Sequence, residues 1–421
     1  MQHLSRALDL VTLFVARGLP AGSRAVLIML LANRMDKSAF GAMAAAFVLV
    51  ETLRVAFDCG QDTISIKLLS RPGKLWQRSL HAAIRIKTFT WLGGCTLDLI
   101  LLRVFMSSID AGTATAIGLI GVSQLFWNLP INLMQARGWL NESRTVLWMV
   151  CVGLPASIGL AAWVLPGYEA VRVYAFMEYV ALGAMALIAR HAGRLHRAGL
   201  DEGRRLRGRQ LSLYLRRGWN VCVGQIAALT YGKFDVLLVA RFAPATSVAD
   251  YLFVQRFFDL ANFVAGGASS VMYATIARKT GRVIPSQAWT AAAKQWALAF
   301  TLLAAAVGMA FWLVGPVLIR TFFPRMSGAV GIIYLFGIVA VLSVVNQYVT
   351  ALLNSVGGYS VIARVNVVNL LMILIAGSAA FYWFGIPWLL VSIAVVYFIA
   401  PLLQGLALKQ LLQQPRVALA N

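Results

Sequence analysis

Long apolar segments recur along the whole chain and limit the folds that it can adopt. Twelve of them have about 20 residues or more, the length that an α-helix needs to cross a hydrocarbon core roughly 30 Å thick. Hydrophobic residues make up 60% of the sequence and charged residues 12%, whereas a soluble domain needs a more polar surface. The sequence therefore predicts an all-α polytopic membrane protein with about 12 transmembrane helices. The predicted helices span residues 8–33, 38–66, 81–105, 112–135, 142–165, 170–191, 218–241, 247–276, 288–319, 328–354, 361–384 and 386–409.

Basic residues gather in alternate loops between the predicted helices. Cytoplasmic loops of membrane proteins carry an excess of Lys and Arg, so these loops are expected on the cytoplasmic side. With twelve crossings, both termini of this multi-pass chain are then cytoplasmic. Lys37, Arg320 and Arg325 depart from the alternation. The basic groups are Arg71, Lys74 and Arg78; Arg137 and Arg144; the arginines of 193–217; and Arg278, Lys279 and Arg282.

The two halves of the chain resemble each other. The segment LLANRMDKSAFGAMAAAFVLVETLRVAFD begins at Leu30, and the similar LLVARFAPATSVADYLFVQRFFDLANFVA begins about 208 residues later, at Leu237. Both join an apolar helix, a short polar turn and a long helix with charges in its middle. Because each half holds six predicted helices, the halves share one orientation and are related by an axis along the membrane normal. We therefore expect two pseudo-symmetric six-helix bundles around a central cavity, formed by residues 1–192 and 218–421.

Residues 193–217 join the two predicted bundles and are rich in arginine. A nucleic-acid-binding segment is one interpretation of such a run. A linker held against anionic lipid headgroups explains it better, because each basic residue near a membrane surface contributes about 1 kcal/mol of attraction. The segment is therefore predicted to be a basic cytoplasmic linker, the lipid bilayer is its expected partner, and no nucleic acid is expected.

Four charged residues follow helical spacing in the second apolar segment. Glu51, Arg54, Asp58 and Asp62 are three, four and four positions apart, which places them on one face of a continuous helix. A single charged side chain near the bilayer centre costs roughly 2.5–3.5 kcal/mol on insertion scales. The four side chains are therefore expected to face water or one another, and the helix is expected to line a polar cavity.

Charges also occur in the middle of three other predicted helices. The first helix carries two arginines seven positions apart, and the seventh carries a cation and a carboxylate. The eighth carries a cation and a carboxylate spaced i, i+3. An alternative to a binding site is a set of structural ion pairs, Glu51 with Arg54 and Arg256 with Asp259. The residues are Arg17 and Arg24 in the first helix, Lys233 and Asp235 in the seventh, and Arg256 and Asp259 in the eighth.

The fourth predicted helix carries uncharged amide side chains on one face. Gln124, Asn128, Asn132 and Gln135 recur every three or four residues. Amides both donate and accept hydrogen bonds, which suits a hydroxyl-rich glycan. Hydrogen bonding between packed helices is an equally good interpretation of the same stripe.

The remaining polar residues indicate no metal and no cofactor. The four cysteines show no CxxC or paired spacing, and the four histidines lie near predicted helix ends, where solvated side chains are common. No GxxxxGK[ST] motif is present, so ATP bound by this chain is not the expected energy source. Asp98 and Glu178 each stand alone in a helix and are weaker candidates for a site.

The residues themselves resemble a known family. LANRMDKSAFG, the polar second helix and the basic LLSR ending at Arg71 resemble the polysaccharide-export branch of the multidrug/oligosaccharidyl-lipid/polysaccharide (MOP) superfamily. YGKFDVLLVARFAPATSVADYLFVQRFFDL, residues 231–260, is similar to the corresponding segment of that branch. The resemblance implies a non-enzymatic flippase of the bacterial cytoplasmic (inner) membrane that moves a polyprenyl-diphosphate-linked oligosaccharide outward by alternating access. Such transport serves the export of exopolysaccharide, capsule or O-antigen, and a polysaccharide polymerase or copolymerase is a candidate partner.

The charged residues acquire hypothetical roles from this resemblance. Arg24, Arg54 and Arg256, supported by Arg17 and Lys233, are expected to bind the diphosphate through charge-assisted hydrogen bonds. Carboxylates inside the membrane are candidates for coupling to a proton gradient, a sodium gradient or the membrane potential. The coupling candidates are Glu51, Asp58, Asp235 and Asp259, and the candidates for glycan contact are Gln124, Asn128 and Asn132.

Two other functions share parts of this sequence pattern. A multidrug exporter of the same superfamily, coupled to a cation gradient, should have a more apolar and acidic cavity, and the intramembrane arginines count against it. A membrane oligosaccharide polymerase or ligase would share the hydropathy but typically needs a sizeable outer domain. No predicted outer loop exceeds about a dozen residues, which counts against such an enzyme.

Overall fold

The computed structural model describes six long stretches of the chain, and the helices in them follow the apolar segments. Where the twelve predicted segments are described, their residues are helical, apart from a turn at Gly60 and residues at segment ends. The described stretches contain no strand, so the predicted all-α fold is confirmed for them. The described residues are 12, 22–58, 60–62, 65, 69, 75–105, 109–137, 139, 147, 148, 150, 152–156, 159, 163–165, 167–195, 208–280 and 287–413.

The first of two compact units comprises Met1–Leu229. Its fourth helix, α4, is central and packs against α2, α3 and α5. Glycines on α4 allow this close approach, because a methyl group added at Gly121 would lie only 2.7 Å from Val50 Cβ on α2. The helices are α1 (Gly22–Ala32), α2 (Lys37–Asp58), α3 (Leu75–Phe105), α4 (Ala111–Arg137), α5 (Gly167–Leu195) and the first part of α6 (Gly208–Phe242).

The second unit comprises Thr230–Asn421. Its central helix is α10, which packs against α7, α8 and α13. Two π-helical turns, Ala310–Val314 and Ile373–Gly377, join α8 to α9 and α11 to α12. Besides the end of α6, the helices are α7 (Ala245–Thr280), α8 (Gln287–Met309), α9 (Gly315–Phe322), α10 (Ala329–Ser355), α11 (Tyr359–Met372), α12 (Ser378–Phe384) and α13 (Ile386–Gln413).

The packing order within the two units follows the internal repeat. In the first unit the fourth predicted helix, α4, contacts the second, third and sixth predicted helices. In the second unit the tenth predicted helix, α10, contacts the eighth, ninth and twelfth. Equivalent helices therefore make equivalent contacts in the two halves, although the sequences of these halves differ at most positions.

The helix lengths and compositions are those of a multi-pass membrane protein. In the described stretches, eight helices are long and apolar enough to cross a membrane. Two further helices, α3 with 31 residues and α7 with 36, are long enough but carry several charged residues each. These two helices are the ones that bring Lys87, Asp98, Arg256 and Asp259 into the units.

The second predicted segment is not one continuous helix. Helix α2 ends at Asp58, and Gly60 adopts a φ angle of 69°, in the left-handed region that glycine tolerates. The expectation of an unbroken charged face over 38–66 is therefore wrong beyond Asp58. Asp58 and Asp62 nevertheless lie next to each other, because the Asp62 backbone N–H donates to Asp58 Oδ2 at 3.1 Å.

The predicted linker 193–217 is helical at both ends. Helix α5 continues to Leu195 and α6 begins at Gly208, whereas residues 196–207, with four of the eight arginines, lie outside the described residues. The boundary between the two units falls between Leu229 and Thr230, within α6. The second unit therefore begins twelve residues after position 218, at which the second bundle is predicted to begin.

An exposed ion pair fixes the start of α4. The Thr113 backbone N–H donates to Asp110 Oδ1 at 3.1 Å, which caps the helix, and Arg172 of α5 pairs with the same oxygen. Burial acts to raise the pKa of Asp110, but hydrogen bonds from Thr113 and Arg172 bring it below its ordinary value. This pair joins α5 to the loop before α4.

Candidate functional site

Arg24 lies at the centre of a buried cluster in the first unit. Its Nη2 donates to Glu178 Oε1 and to the Ile120 carbonyl oxygen, both at 2.7 Å. Ser123 Oγ donates to the same Glu178 oxygen at 2.7 Å, and Arg24 Nη1 lies 3.9 Å from Glu51 Oε1. The side chains of Arg24 and Glu178 are 1% and 0% exposed. This Arg24 cluster joins α1, α2, α4 and α5 with charges removed from water.

A second cluster in the first unit is built around Lys87 of α3. Lys87 Nζ lies 2.9 Å from Asp58 Oδ1 and 2.8 Å from Asp62 Oδ1. Asn128 of α4 donates to the other oxygen of Asp62 at 2.6 Å. One ammonium group therefore compensates two neighbouring carboxylates, and an amide fixes the orientation of one of them. This Lys87 cluster joins α3 and α4 to the end of α2.

Arg54 lies on α2 between the two clusters. It follows Glu51 by one turn and precedes Asp58 by one turn, and its electrostatic neighbours also include Arg24 and Asp62. Arg54 is half-buried, its Nε is buried, and it forms no hydrogen bond or salt bridge with any residue that the structure describes. Its guanidinium therefore lies among charged groups without a hydrogen bond to any of the described residues.

The amide stripe on α4 divides into two parts. Asn128 binds the Lys87 cluster, and Asn132 Nδ2 donates to Ser65 Oγ at 2.7 Å and to the Asp62 carbonyl at 3.1 Å. These two side chains hold helices together, as the packing interpretation of the stripe predicts. Gln124 lies one turn earlier, is half-buried, and makes no hydrogen bond with the described residues.

The second unit gathers its charges on two consecutive helices. Lys233 of α6 pairs with Asp259 Oδ1, and Arg256 Nη1 donates to Asp259 Oδ2 at 3.2 Å. Lys233 and Arg256 are buried, whereas the Asp259 side chain is 23% exposed. One carboxylate thus binds two cations, and one of the two pairs spans a single helical turn.

Two further polar contacts lie within the second unit. The Tyr251 hydroxyl donates to Asp235 Oδ2, and both residues are buried. Ser343 of α10 donates to the Asn262 side-chain oxygen of α7. Asp235 is therefore bound to a tyrosine of α7, although its neighbour in sequence, Lys233, pairs with Asp259.

The predicted site residues come together as two groups within the first unit and one within the second. The predicted Arg256–Asp259 pair forms, while Glu51 lies 3.9 Å from Arg24 and not within salt-bridge distance of Arg54. Arg17 lies outside the described residues. Lys87 was not predicted as a site residue and Glu178 was only a weaker candidate, because the partners of both lie on other helices.

The charges of these groups nearly balance. In the described part of the first unit three cations face four carboxylates, and in that of the second unit two cations face two. Nowhere in the described stretches do three or more His, Cys, Asp or Glu side chains form a group suited to a metal ion. The groups are Arg24, Arg54 and Lys87 with Glu51, Asp58, Asp62 and Glu178, and Lys233 and Arg256 with Asp235 and Asp259.

Solved structures of MOP superfamily transporters share this fold. An inward-facing multidrug resistance MATE family transporter matches with a TM-score of 0.70 at 12% identity, over 96% of each chain. An outward-facing structure of a multidrug resistance MATE family transporter matches with a TM-score of 0.67 at 12% identity, over 96% of this chain and 94% of that one. A MOP superfamily transporter from Pyrococcus furiosus, described as having a binding pocket of reverse polarity, matches with a TM-score of 0.58 at 11% identity. This match covers 96% of this chain and 95% of that one. The predicted fold of twelve helices in two bundles is confirmed.

A family model assigns the chain more specifically. Residues 9–280 match the family described as polysaccharide biosynthesis protein. Because this match covers more than half of the chain, the protein belongs to that family. No curated protein sequence matches the chain significantly. The resemblance to the polysaccharide-export branch of the MOP superfamily, inferred from LANRMDKSAFG and residues 231–260, is thereby confirmed.

Proposed function

We propose that this protein is a flippase that moves a polyprenyl-diphosphate-linked oligosaccharide from the cytoplasmic to the outer leaflet by alternating access. The bacterial cytoplasmic membrane, with both termini on the cytoplasmic side, is its proposed location. Membership of the polysaccharide biosynthesis family supports the substrate class, and the MOP fold supports transport rather than catalysis. The unused guanidinium of Arg54 is the single observation that carries the proposal.

Arg54 has the chemistry that a diphosphate requires. A guanidinium donates two parallel charge-assisted hydrogen bonds to phosphate oxygens. Because Arg54 makes no hydrogen bond with the described residues, a phosphate can bind it without first breaking an ion pair. The carboxylates near Arg54 repel such a ligand, and the pairing of Arg24 with Glu178 and of Lys87 with Asp58 and Asp62 reduces that repulsion.

The other predicted ligands take supporting roles in this proposal. Arg24, Lys233 and Arg256 are joined to carboxylates, so each raises the local positive potential but must exchange a partner before it binds phosphate. Arg17 remains a predicted ligand on the basis of the sequence alone. Gln124 is the proposed glycan contact, while Asn128 and Asn132 align the helices. The coupling candidates Glu51, Asp58, Asp235 and Asp259 stay predictions.

A multidrug exporter is the second candidate function. Carboxylates outnumber cations by one in the groups of the first unit, and an acidic interior suits cationic drugs. The MATE transporters that share the fold are described as multidrug resistance proteins. Arg54 distinguishes the two candidates, because a cation without a hydrogen-bonded partner favours an anionic ligand over a cationic one.

The decisive experiment measures which leaflet contains the lipid-linked oligosaccharide in cells depleted of the protein. A lectin or enzyme that reaches only the outer face reports the exposed fraction. We expect the lipid-linked oligosaccharide to accumulate in the inner leaflet of depleted cells. The wild type should reverse this accumulation fully and Arg54→Lys in part. In Arg54→Gln the rate of flipping should fall by about 10- to 100-fold, since a hydrogen bond to a charged group contributes about 1.5–3 kcal/mol.

Arg241→Gln is the matched control, because Arg241 is an exposed arginine at the end of α6, outside the clusters. Immunoblots of membranes establish that all variants accumulate equally. Full activity of Arg54→Gln would remove Arg54 from the binding site. If the lipid-linked oligosaccharide reaches the outer leaflet normally in depleted cells, the protein is not the flippase, and drug efflux should be tested next. If the oligosaccharide accumulates in the outer leaflet, a polymerase or ligase is indicated.

A further inference from the structure

Asp98 is a buried carboxyl group that belongs to neither cluster of the first unit. It lies in α3 and is 0% exposed. Neither of its side-chain oxygens accepts a hydrogen bond from any residue that the structure describes, and no cation of the described stretches pairs with it. A carboxyl group buried in this way requires an explanation, because the other buried carboxyl groups of the unit are bound by cations or donors.

The contact between α3 and α4 encloses Asp98. A methyl group added at Gly121 of α4 would lie 3.2 Å from Asp98 Oδ2, and one added at Gly118 would lie 3.6 Å from Asp98 Cβ. Val50 of α2 lies against the same glycine, with its Cβ 2.7 Å from the added methyl group. The two glycines therefore allow the helices to close over the carboxyl group and exclude water from it.

The ionisable groups around Asp98 supply no positive charge. On its own helix the nearest is Cys95, one turn earlier. Helix α4 has no ionisable residue before Arg137. Next to Val50 on α2 is Glu51, which lies beside Arg24, and Glu178 of α5 binds the same arginine. A negative charge on Asp98 would therefore be buried without compensation, which is strongly unfavourable, whereas the neutral acid is tolerated.

We propose that Asp98 is a proton-binding site that opens and closes with the α3–α4 contact. With the helices packed as described, the carboxyl group carries its proton. When the helices separate, water reaches the group, the O–H bond dissociates, and the proton leaves to water as the carboxylate forms. Binding of a proton thus favours the packed arrangement. The use of this site to drive movement of a lipid-linked oligosaccharide rests on the proposed function.

The protonation state is tested by infrared spectroscopy of the purified full-length protein in lipid. We expect a carbonyl band of a protonated carboxyl group at neutral pH that is lost in Asp98→Asn. The control is Asp110→Asn, which removes an exposed carboxylate paired with Arg172 and should leave the band unchanged. If Asp98→Asn removes no such band, Asp98 is ionised and the proposal is wrong.

The link to helix packing is tested with spin labels at Val104 of α3 and Thr115 of α4, both exposed, after replacement of the native cysteines. We expect the distance between the labels to increase as the pH rises in the wild-type background. Asp98→Asn, which cannot ionise, should keep the short distance at every pH. An identical pH response in both proteins would overturn the proposal. Neither readout needs a substrate, so a failed flippase assay leaves this test intact.

Discussion

The two units place a cation of one helix against a carboxylate of the next helix at equivalent positions of the repeat. Arg24 lies 3.9 Å from Glu51 in the first unit, and Lys233 pairs with Asp259 about 208 residues later in the second. In the first unit Arg24 also binds Glu178, which is 154 residues away on α5. In the second unit the additional partner of Asp259 is Arg256, three residues away on the same helix.

This difference shows how a duplicated scaffold can acquire different chemistry in its two halves. The first unit distributes its charges over four helices, α1, α2, α3 and α5, so its tertiary packing and its electrostatics depend on each other. The second unit compensates its charges largely between α6 and α7 and adds a hydrogen bond from Tyr251 to Asp235. In the first unit the half-buried Arg54 makes no hydrogen bond with the described residues, whereas the buried Arg256 of the second unit donates to Asp259.

Removal of Lys87 should have the largest effect, because the Lys87 cluster has no equivalent among the described residues of the second unit. In Lys87→Met, the buried Asp58 and the partly buried Asp62 lose their shared cation. We expect the free energy of unfolding to fall by about 3–5 kcal/mol, measured by thermal or denaturant unfolding in detergent.

The double variant Lys87→Met/Asp62→Asn should recover part of this loss, since one of the two uncompensated charges is gone. Lys294→Met, at an exposed position on α8, is the control and should retain wild-type stability. Wild-type stability of Lys87→Met would mean that the cluster is not needed for the fold of the first unit.

Neutralising the equivalent cations should give unequal effects in the two units. Arg24→Gln leaves the fully buried Glu178 without its cation, and we expect a loss of about 3–5 kcal/mol. Lys233→Gln leaves Asp259 with Arg256 and partial exposure, and we expect about 1.5–3 kcal/mol. The same unfolding assay measures both variants. Equal losses would contradict the distinction between distributed and local compensation.

The exposed Asp110–Arg172 pair should have the smallest effect. Because the pKa of Asp110 is lower in the folded protein than its ordinary value of about 3.9, the pair stabilises above that pH. The stabilisation is lost as the pH falls through the lowered pKa. Arg172→Gln should cost at most about 1 kcal/mol near neutrality and show a weaker decline of Tm on acidification. Arg190→Gln, also exposed on α5, should follow the wild type.

The sequence predicted those features that depend on local spacing and hydropathy. Helix positions followed from apolar runs, and the Arg256–Asp259 pair followed from a separation of one turn. The break after Asp58 was missed because a glycine in an apolar run does not reveal its φ angle, which is 69° at Gly60.

Contacts between distant helices account for the other differences from the sequence analysis. Glu178 and Lys87 find their partners only when α5 and α3 pack beside α1 and α2. A lone charge in one apolar segment gives no sign of which other segment will neutralise it. The same holds for Asp98, whose lack of a described partner becomes visible only in the packed structure.

The near balance of buried charge determines how transmembrane voltage can act on this protein. Moving one elementary charge across a membrane is worth about 2.3 kcal/mol per 100 mV. Among the described residues the second unit's group has no net charge and the first unit's groups exceed neutrality by one carboxylate, so voltage acts on about one elementary charge of these groups. A bound diphosphate would add negative charge that the groups do not cancel. An inside-negative potential would then favour outward movement of the loaded form by more than it opposes the return of the empty form.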